Sequence, residues 1–236
     1  MISSAPIQLP LSLRLYAHAS FDNFVIGDNG LSVEQLKLIS LGDGQELSIA
    51  IHGQRGSGCT YLLQCCCQLA QSKGLSAIYL PLEEVVELSV DVFNSLESFD
   101  LVCIDQMQVT AGRADWEEAL FHLFNRIRTQ GHRLVIAATD RPDELGLELP
   151  DLRSPLNWGL VLQIRALRDE HKLDALKAQA KATGLNVSNE VLIYLMNRGE
   201  RSLSQLFQLM EALDKASLTE KRRVTIPFAK QVLGWN

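Results

Sequence analysis

Residues 53–60 read Gly53-Gln-Arg-Gly-Ser-Gly-Cys59-Thr60, and this stretch separates an apolar run from a segment with helical periodicity. Gly53, Gly58 and Thr60 keep the spacing of the pattern G-x-x-x-x-G-K-[ST], in which backbone N–H groups surround phosphates. Cys59 stands where that pattern has the lysine that reaches the outer phosphates. The stretch therefore predicts a phosphate-binding loop between a strand and a helix, with a weakened attraction for a triphosphate.

Every residue of this loop is a predicted contact of the bound nucleotide: Gly53, Gln54, Arg55, Gly56, Ser57, Gly58, Cys59 and Thr60, followed by Tyr61. The hydroxyl of Thr60 is expected to contact a phosphate or a Mg²⁺ ion. Arg55 is a positive charge within the loop that can replace part of the lost lysine charge. A tight turn that has lost its ligand is the alternative interpretation of the loop.

Apolar runs alternate with helical patterns on both sides of the loop. Five runs predict strands, at residues 47–51, 76–80, 101–104, 134–138 and 160–164, and two patterns between them predict helices at 61–71 and 116–129. Continuous apolar strands suit a parallel sheet that is buried on both faces. The alternation predicts an α/β domain over residues 21–166.

The segments at either end of this domain have a different character. Only helical patterns follow residue 166, at 169–182, 188–197 and 202–215, with another helix beginning at Pro227. We therefore predict a small all-helical domain over residues 167–236. Residues 1–20 are rich in Ser and Pro and predict a flexible tail.

Polar residues end two of the predicted strands. Asp105 follows an apolar strand about fifty residues after the loop, which is the position of an aspartate that holds Mg²⁺ in P-loop proteins. The next residue is Gln106, whose amide cannot accept a proton from an attacking water. Asp140 ends the following strand, where a polar side chain can reach the outer phosphate. Each of these aspartates could also be an ordinary strand end or turn residue.

Composition excludes several classes of protein. The chain has 236 residues and a net charge of −6, without the basic excess of a stand-alone nucleic-acid binder. Its five cysteines form no C-x-x-C pair, so a zinc site is not expected. No signal peptide and no apolar segment of membrane-spanning length occurs. These features predict a reduced, cytoplasmic protein.

Several of these stretches together resemble a known family. Residues 21–25, the loop with Asp105, residues 140–142, residues 152–159 and Arg201 are similar to the AAA+ core of the DnaA family of bacterial replication initiators. The altered loop, and a chain that stops where an initiator continues into DNA-binding helices, are most similar to the Hda branch of that family. The resemblance implies a P-loop AAA+ parallel sheet flanked by helices, with the all-helical domain as a lid.

The resemblance also implies roles for individual residues. Phe21, Phe24 and Val25 would lie near an adenine base, and Asp140 would be a sensor of the outer phosphate. Arg201 would be the sensor arginine of the lid. The implied cofactor is a nucleoside diphosphate, ADP, with Mg²⁺ held by Thr60 and Asp105.

The tail carries a second motif. Gln8, Leu9, Leu11 and Leu13 are similar to the short Q-L-x-L-x-L peptide by which bacterial proteins bind the sliding clamp of DNA polymerase III. A proline keeps such a segment extended, and alternate leucines can fill an apolar pocket. The same pattern also occurs in ordinary edge strands.

The resemblance implies a regulator that acts on another ATPase. On DNA that carries the clamp, it would present an arginine finger to the ATP-bound initiator DnaA and stimulate hydrolysis there. The family's finger position is Pro155 in this chain, so we take Arg153, two residues earlier, as the hypothesis, with Arg141 as a fallback.

Two other functions remain open from the sequence. One is a self-standing AAA+ ATPase that acts as a helicase loader or initiator-like factor, and Cys59 and Gln106 both count against it. The other is an adaptor without any nucleotide. Self-association through the AAA+ faces is a further expectation of the resemblance.

Overall fold

The computed structural model describes residues 19–152, 156, 159–199 and 202–235. Four of the features predicted above lie outside these ranges: the clamp-like peptide (residues 8–13), Arg153, Pro155 and Arg201. Within them, the chain forms a parallel sheet covered by helices, followed by a group of helices.

The sheet has five parallel strands in the order β2-β3-β4-β1-β5. Their bounds are β1 Ser48–His52, β2 Ala77–Pro81, β3 Leu101–Asp105, β4 Arg133–Ala138 and β5 Leu160–Gln163. Each predicted apolar run forms a strand, with ends within one residue of the prediction. The α/β fold class with a parallel sheet is confirmed.

The first part of the chain includes helices whose bounds lie within the described ranges: α1 Gly30–Leu41, α2 Cys59–Ser72, the short α3 Leu82–Val85 and α4 Ala114–Gln130. The sequence patterns predicted α2 and α4 but not α1. The helix α1 buries Val33, Leu36 and Ile39 yet leaves Leu31 and Leu38 exposed, so its apolar residues form no one-sided stripe.

The helices cover both faces of the sheet. On β3, Leu101 and Cys103 belong to the core cluster that includes α1 and α2, whereas Val102 and Ile104 belong to the cluster that includes α4. Because successive side chains of a strand point to opposite faces, both faces are apolar and both are covered. All five cysteines are free thiols.

The C-terminal part is helical, as the sequence patterns predict. It consists of α5 Asp169–Thr183, α6 Asn189–Arg198, α7 Leu203–Glu220 and α8 Ile226–Leu233 around its own core cluster. The helix α7 continues five residues beyond the predicted end at residue 215. Pro227 lies in the first turn of α8, where a missing N–H costs nothing. The proposed domain boundary near residue 166 remains a prediction.

None of the helices in the described ranges is long and apolar enough to cross a lipid bilayer.

The unpredicted helix α1 provides a test of the packing. Leu36 is 0% exposed and Leu31 is 68% exposed on the same helix. Leu36→Ala should lower the free energy of unfolding by about 3 kcal/mol, because a cavity would remain beneath α1. Leu31→Ala, the matched control, should cost less than about 0.5 kcal/mol. Urea unfolding measures both, and equal losses would contradict this packing.

Candidate functional site

The candidate site lies at the carboxyl edge of the sheet, where the loops that follow β1, β3 and β4 meet. In an all-parallel sheet these loops share one edge. The register pairs His52 of β1 with Ala138 of β4, and the N–H of Gly53 donates to the carbonyl of Ala138 at 3.2 Å. The topology therefore brings the glycine-rich loop beside the turn that contains Asp140.

Glycines are required at defined points of the loop. A Cβ atom on Gly53 would lie 2.5 Å from the carbonyl oxygen of Ile164 and 2.6 Å from Oγ of Ser57, so no side chain fits there. Gly56 and Gly58 have φ angles of 86° and 102°, in the left-handed region that favours glycine. Gly58 is also the N-cap of α2. The loop thus turns directly into the N-terminus of a helix, an arrangement that favours anions.

Cys59 provides no positive charge to this loop. Its Sγ lies 3.3 Å from Oγ of the buried Ser57. Burial raises the pKa of Cys59 to about 11, and the negative charge of Asp105 acts in the same direction. The side chain is therefore a neutral thiol at physiological pH, in the place of a cation.

Asp105 ends β3 as a buried carboxylate with three hydrogen-bond donors. The hydroxyl of Tyr79 donates to it at 2.8 Å, the N–H of Gln106 donates at 2.9 Å, and the hydroxyl of Thr60 makes a third bond. Burial raises the pKa of Asp105, and these three bonds oppose that rise. The structure thus brings the loop hydroxyl and the strand-end carboxylate into direct contact, and both are hard oxygen ligands of the kind that Mg²⁺ accepts.

The side chain of Gln106 is held by Glu83. Its backbone is left-handed, with φ of 60°, and its Nε2 donates to Oε2 of Glu83 at 2.8 Å. Glu83 belongs to α3, which follows the edge strand β2. An amide in this position cannot take a proton from water.

The turn after β4 is built from local hydrogen bonds. The hydroxyl of Thr139 donates to the Asp140 carboxylate at 2.7 Å, and the N–H of Thr139 donates to the side chain of Gln108 at 3.3 Å. The neighbouring His52 has a lowered pKa because of burial and the positive charge of Arg141. Asp140 and Arg141 therefore both lie beside the protein's own loop.

The segment before α1 packs against the loop at Gly58. The rings of Phe24 and Tyr61 stack with centroids 6.1 Å apart, and a Cβ on Gly58 would lie 3.0 Å from the Phe24 ring. The hydroxyl of Tyr61 is within hydrogen-bond distance of the Ser20 backbone. Phe21 is buried in the core cluster, while Val25 is half-buried. Phe24, which is predicted to lie near the base, is thus in contact with Tyr61, which is predicted to contact the nucleotide.

The C-terminal helices approach the loop at Gly56. A Cβ on Gly56 would lie 3.3 Å from Cβ of Ser202, which is the N-cap of α7. The Oγ of Ser202 accepts from the N–H of Gln205. The N-terminal end of α7 therefore rests against the glycine-rich loop.

Three residues of this site had no signal in the sequence. Tyr79 and Gln108 act through hydrogen bonds to Asp105 and Thr139, and Glu83 holds Gln106. Each is an ordinary polar residue near a strand end. Only the pairing of β2 with β3 would have placed Tyr79 near Asp105, and that pairing is visible only in the fold.

Comparison with known proteins gives concordant results. Residues 15–163 match the family profile of the bacterial DnaA ATPase domain, and residues 169–233 match that of the Hda lid domain. An uncharacterised protein of Haemophilus influenzae is 37% identical over 227 residues, which cover 96% of this chain and 98% of that protein.

Solved structures share the fold. Domain III of the replication initiation protein DnaA from Thermotoga maritima superposes with a TM-score of 0.78 at 22% identity, covering 92% of this chain and 95% of that one. The initiator DnaA bound to AMPPCP and single-stranded DNA gives 0.74 at 22% identity, covering 88% and 69%. The Thermotoga maritima branch migration motor RuvB gives 0.64 at 14% identity, covering 92% and 72%. Together with the profile matches, these results show that the chain belongs to the DnaA-related AAA+ family and ends in an Hda lid domain.

Proposed function

We propose that the protein regulates chromosomal replication initiation by holding ADP in its own site and stimulating ATP hydrolysis by the initiator DnaA. This proposal rests on one observation: the glycine-rich loop keeps its geometry, yet the side chain at position 59 is a neutral thiol. Gly53, Gly58 and the Thr60–Asp105 contact are in place, yet Cys59 brings no charge to the outer phosphates. Such a site suits a nucleotide that stabilises the protein better than one that it consumes.

The loop fits a nucleotide on its own geometry. Left-handed φ angles at Gly56 and Gly58 form a turn of the kind whose backbone N–H groups surround a phosphate, and α2 begins directly behind it. Phe24 and Tyr61 offer aromatic surface for a base. One structural relative, a DnaA, is described as bound to AMPPCP, which supports the same class of ligand here.

A magnesium ion fits the pair of oxygen ligands at Thr60 and Asp105. When bound, such an ion neutralises charge on the phosphates. Tyr79 orients the Asp105 carboxylate by donating to its second oxygen. Without the loop lysine, a diphosphate loses less of its stabilisation than a triphosphate does, so we propose ADP as the resident nucleotide.

Two residues of this site support the proposal that hydrolysis takes place in a partner's site. Gln106 is an amide bound to Glu83 and cannot act as a general base. Arg141 forms an ion pair with Asp143 at 3.2 Å and lies near His52, beside the protein's own loop, which disfavours it as a finger for another protein. We therefore keep Arg153 as the proposed finger, and it lies outside the described residues.

The remaining parts of the proposal concern partners and place. The peptide Gln8, Leu9, Leu11 and Leu13 would bind the sliding clamp and so bring the protein to DNA indirectly. The composition suits the cytoplasm, where the replication machinery works. Self-association through AAA+ faces is a further possibility that the family membership supports.

A second function is favoured by one observation. The Thr60–Asp105 contact preserves the metal-binding half of an ATPase site, which would serve a self-standing ATPase that loads a helicase. Phosphate release by the purified protein without partners separates the two functions. Sustained turnover of ATP would favour the second.

Restoring the missing cation should change the nucleotide preference. Cys59→Lys should tighten ATP binding by about 10-fold or more, because an ammonium group would reach the outer phosphate. The wild type should bind ADP more tightly than ATP, as measured by calorimetric titration. Cys59→Met is the uncharged control and should leave the preference for ADP unchanged. ATP binding by the wild type that equals or exceeds ADP binding would contradict the proposal.

Asp105 should limit the stability of the nucleotide-free protein. Because its pKa is raised, the folded state favours the protonated carboxyl, and the stability it contributes is lost as the pH rises through that pKa. Asp105→Asn should therefore stabilise the protein by about 1 kcal/mol near pH 7.5, and the gain should shrink towards pH 4. Thermal unfolding at both pH values, without nucleotide, measures this effect. A loss of stability at pH 7.5 would show that the ionised carboxylate holds the site together.

The activity on a partner can be measured directly. Mixed with clamp-loaded DNA and ATP-bound DnaA, the protein should accelerate phosphate release, and Arg153→Ala should reduce that acceleration by about 100-fold or more. Deletion of residues 8–13 should abolish it. Arg141→Ala is the matched control and should remain active. Full activity of Arg153→Ala would move the finger to another residue.

A further inference from the structure

Asn29 makes two hydrogen bonds to the backbone of a residue 136 positions away. Its Oδ1 accepts from the N–H of Arg165 at 2.8 Å, and its Nδ2 donates to the carbonyl of Arg165 at 2.9 Å. Asn29 is only 3% exposed. A carboxamide has an NH₂ group that donates and a carbonyl oxygen that accepts, so these two bonds match the two polar groups of one backbone residue.

The two residues before Asn29 contact the same segment. Asp28 pairs with Arg168, with an N–O distance of 2.7 Å. Gly27 has φ of 52°, and a Cβ there would lie 2.7 Å from the Leu167 side chain. Residues 27–29 therefore bind residues 165–168 at three successive points, and we name this set of contacts the hinge clamp.

The hinge clamp joins three parts of the candidate site. Ile164, just before Arg165, bonds through its N–H to the carbonyl of His52 at 2.7 Å, and its own carbonyl faces Gly53. Residues 165–168 lead into α5, the first helix of the lid. Residues 27–29 follow directly on the segment that stacks Phe24 on Tyr61. The clamp thus lies between the base-side segment, the glycine-rich loop and the lid.

We infer that Asn29 is a positioning residue that couples nucleotide occupancy to closure of the lid. The inference rests on the proposed nucleotide binding and adds a means of its regulation. A ligand held between the Phe24 segment, the loop and the end of α7 requires the three parts to keep one arrangement. Asn29 holds the base-side segment against residues 165–168 before the ligand arrives, so the ligand has to order only the lid, and preorganisation of this kind raises affinity.

Coupling of this kind is reciprocal. If a nucleotide favours the closed lid, a closed lid favours the nucleotide by the same factor. Loss of the Asn29 bonds removes the partners of the Arg165 N–H and carbonyl, so residues 165–168 are no longer held against residues 27–29. The expected consequence is weaker nucleotide binding together with a lid that no longer responds to nucleotide.

The test uses the full chain and ADP. Calorimetry measures the ADP dissociation constant, and hydrogen exchange measures protection of the first turn of α7, where the N–H groups of Gln205 and Leu206 bond to Ser202. Asn29→Ala should raise the dissociation constant by about 10-fold or more and remove the ADP-dependent protection of α7. Protection of β3 and α4 should stay as in the wild type, which a general loss of stability would not allow.

Related variants sharpen the test. Asn29→Asp keeps the acceptor but loses the donor and should also lose the ADP-dependent protection. Asn125→Ala, an exposed asparagine on α4, is the matched control and should behave as the wild type. If Asn29→Ala does not fold, Arg168→Gln removes only the exposed ion pair of the hinge clamp and should weaken the ADP-dependent protection in part.

The outcomes separate the two claims. Wild-type protein that does not bind ADP overturns the proposed nucleotide function and this inference with it. Wild-type protein that binds ADP, together with Asn29 variants that bind it equally and keep ADP-dependent protection of α7, overturns the inference alone.

Discussion

The close approach of three backbone segments at Gly53 determines most of the site. The strand β1 is flanked by β4 on one side and β5 on the other, and the chain leaves β1 through a glycine whose N–H bonds to Ala138. The carbonyl of Ile164 occupies the space that any side chain on Gly53 would need. Because Gly53 has no side chain, the loop can lie directly against the segment that follows β5. The pairing of β1 with β5 places residues 165–168 beside the loop, and the pairing of β1 with β4 places the turn that contains Asp140 there.

The electrostatics of the site centre on Asp105 and Cys59. A buried carboxylate normally has a nearby cation, but the thiol of Cys59 is neutral and even its pKa is affected by Asp105. Asp105 is stabilised instead by three neutral donors, which orient it without removing its charge. Such a carboxylate costs stability in the free protein and suits a ligand that brings a metal ion with it. Under the proposed function, this site holds a nucleotide without hydrolysing it, because a thiol (Cys59) and an amide (Gln106) stand where charged groups serve turnover in ATPases.

Sequence patterns predicted those elements whose formation depends on residues close together in the chain. Continuous apolar runs predicted the five strands, and the glycine spacing predicted the loop, because burial and left-handed φ angles restrict residue type directly. The sequence pattern did not predict α1, because Leu31 and Leu38 are apolar but exposed and so obscure the periodicity of the buried residues. The roles of Tyr79 and Asn29 were not predicted for another reason. Each bonds to a residue far along the chain, and the neighbouring sequence does not indicate which residue that is. The end of α7 extended past its prediction because helix ends depend on caps more than on periodicity.

The contact between Ser202 and Gly56 has a kinetic consequence. The start of α7 lies over the middle of the glycine-rich loop, so a nucleotide held there would be enclosed on the side away from the sheet. Its departure would require α7 to move away first, and its residence time would follow the frequency of that movement more than the strength of any phosphate contact. A protein of this design would keep the same nucleotide through many encounters with its partners, and the slow step in its exchange would belong to the lid.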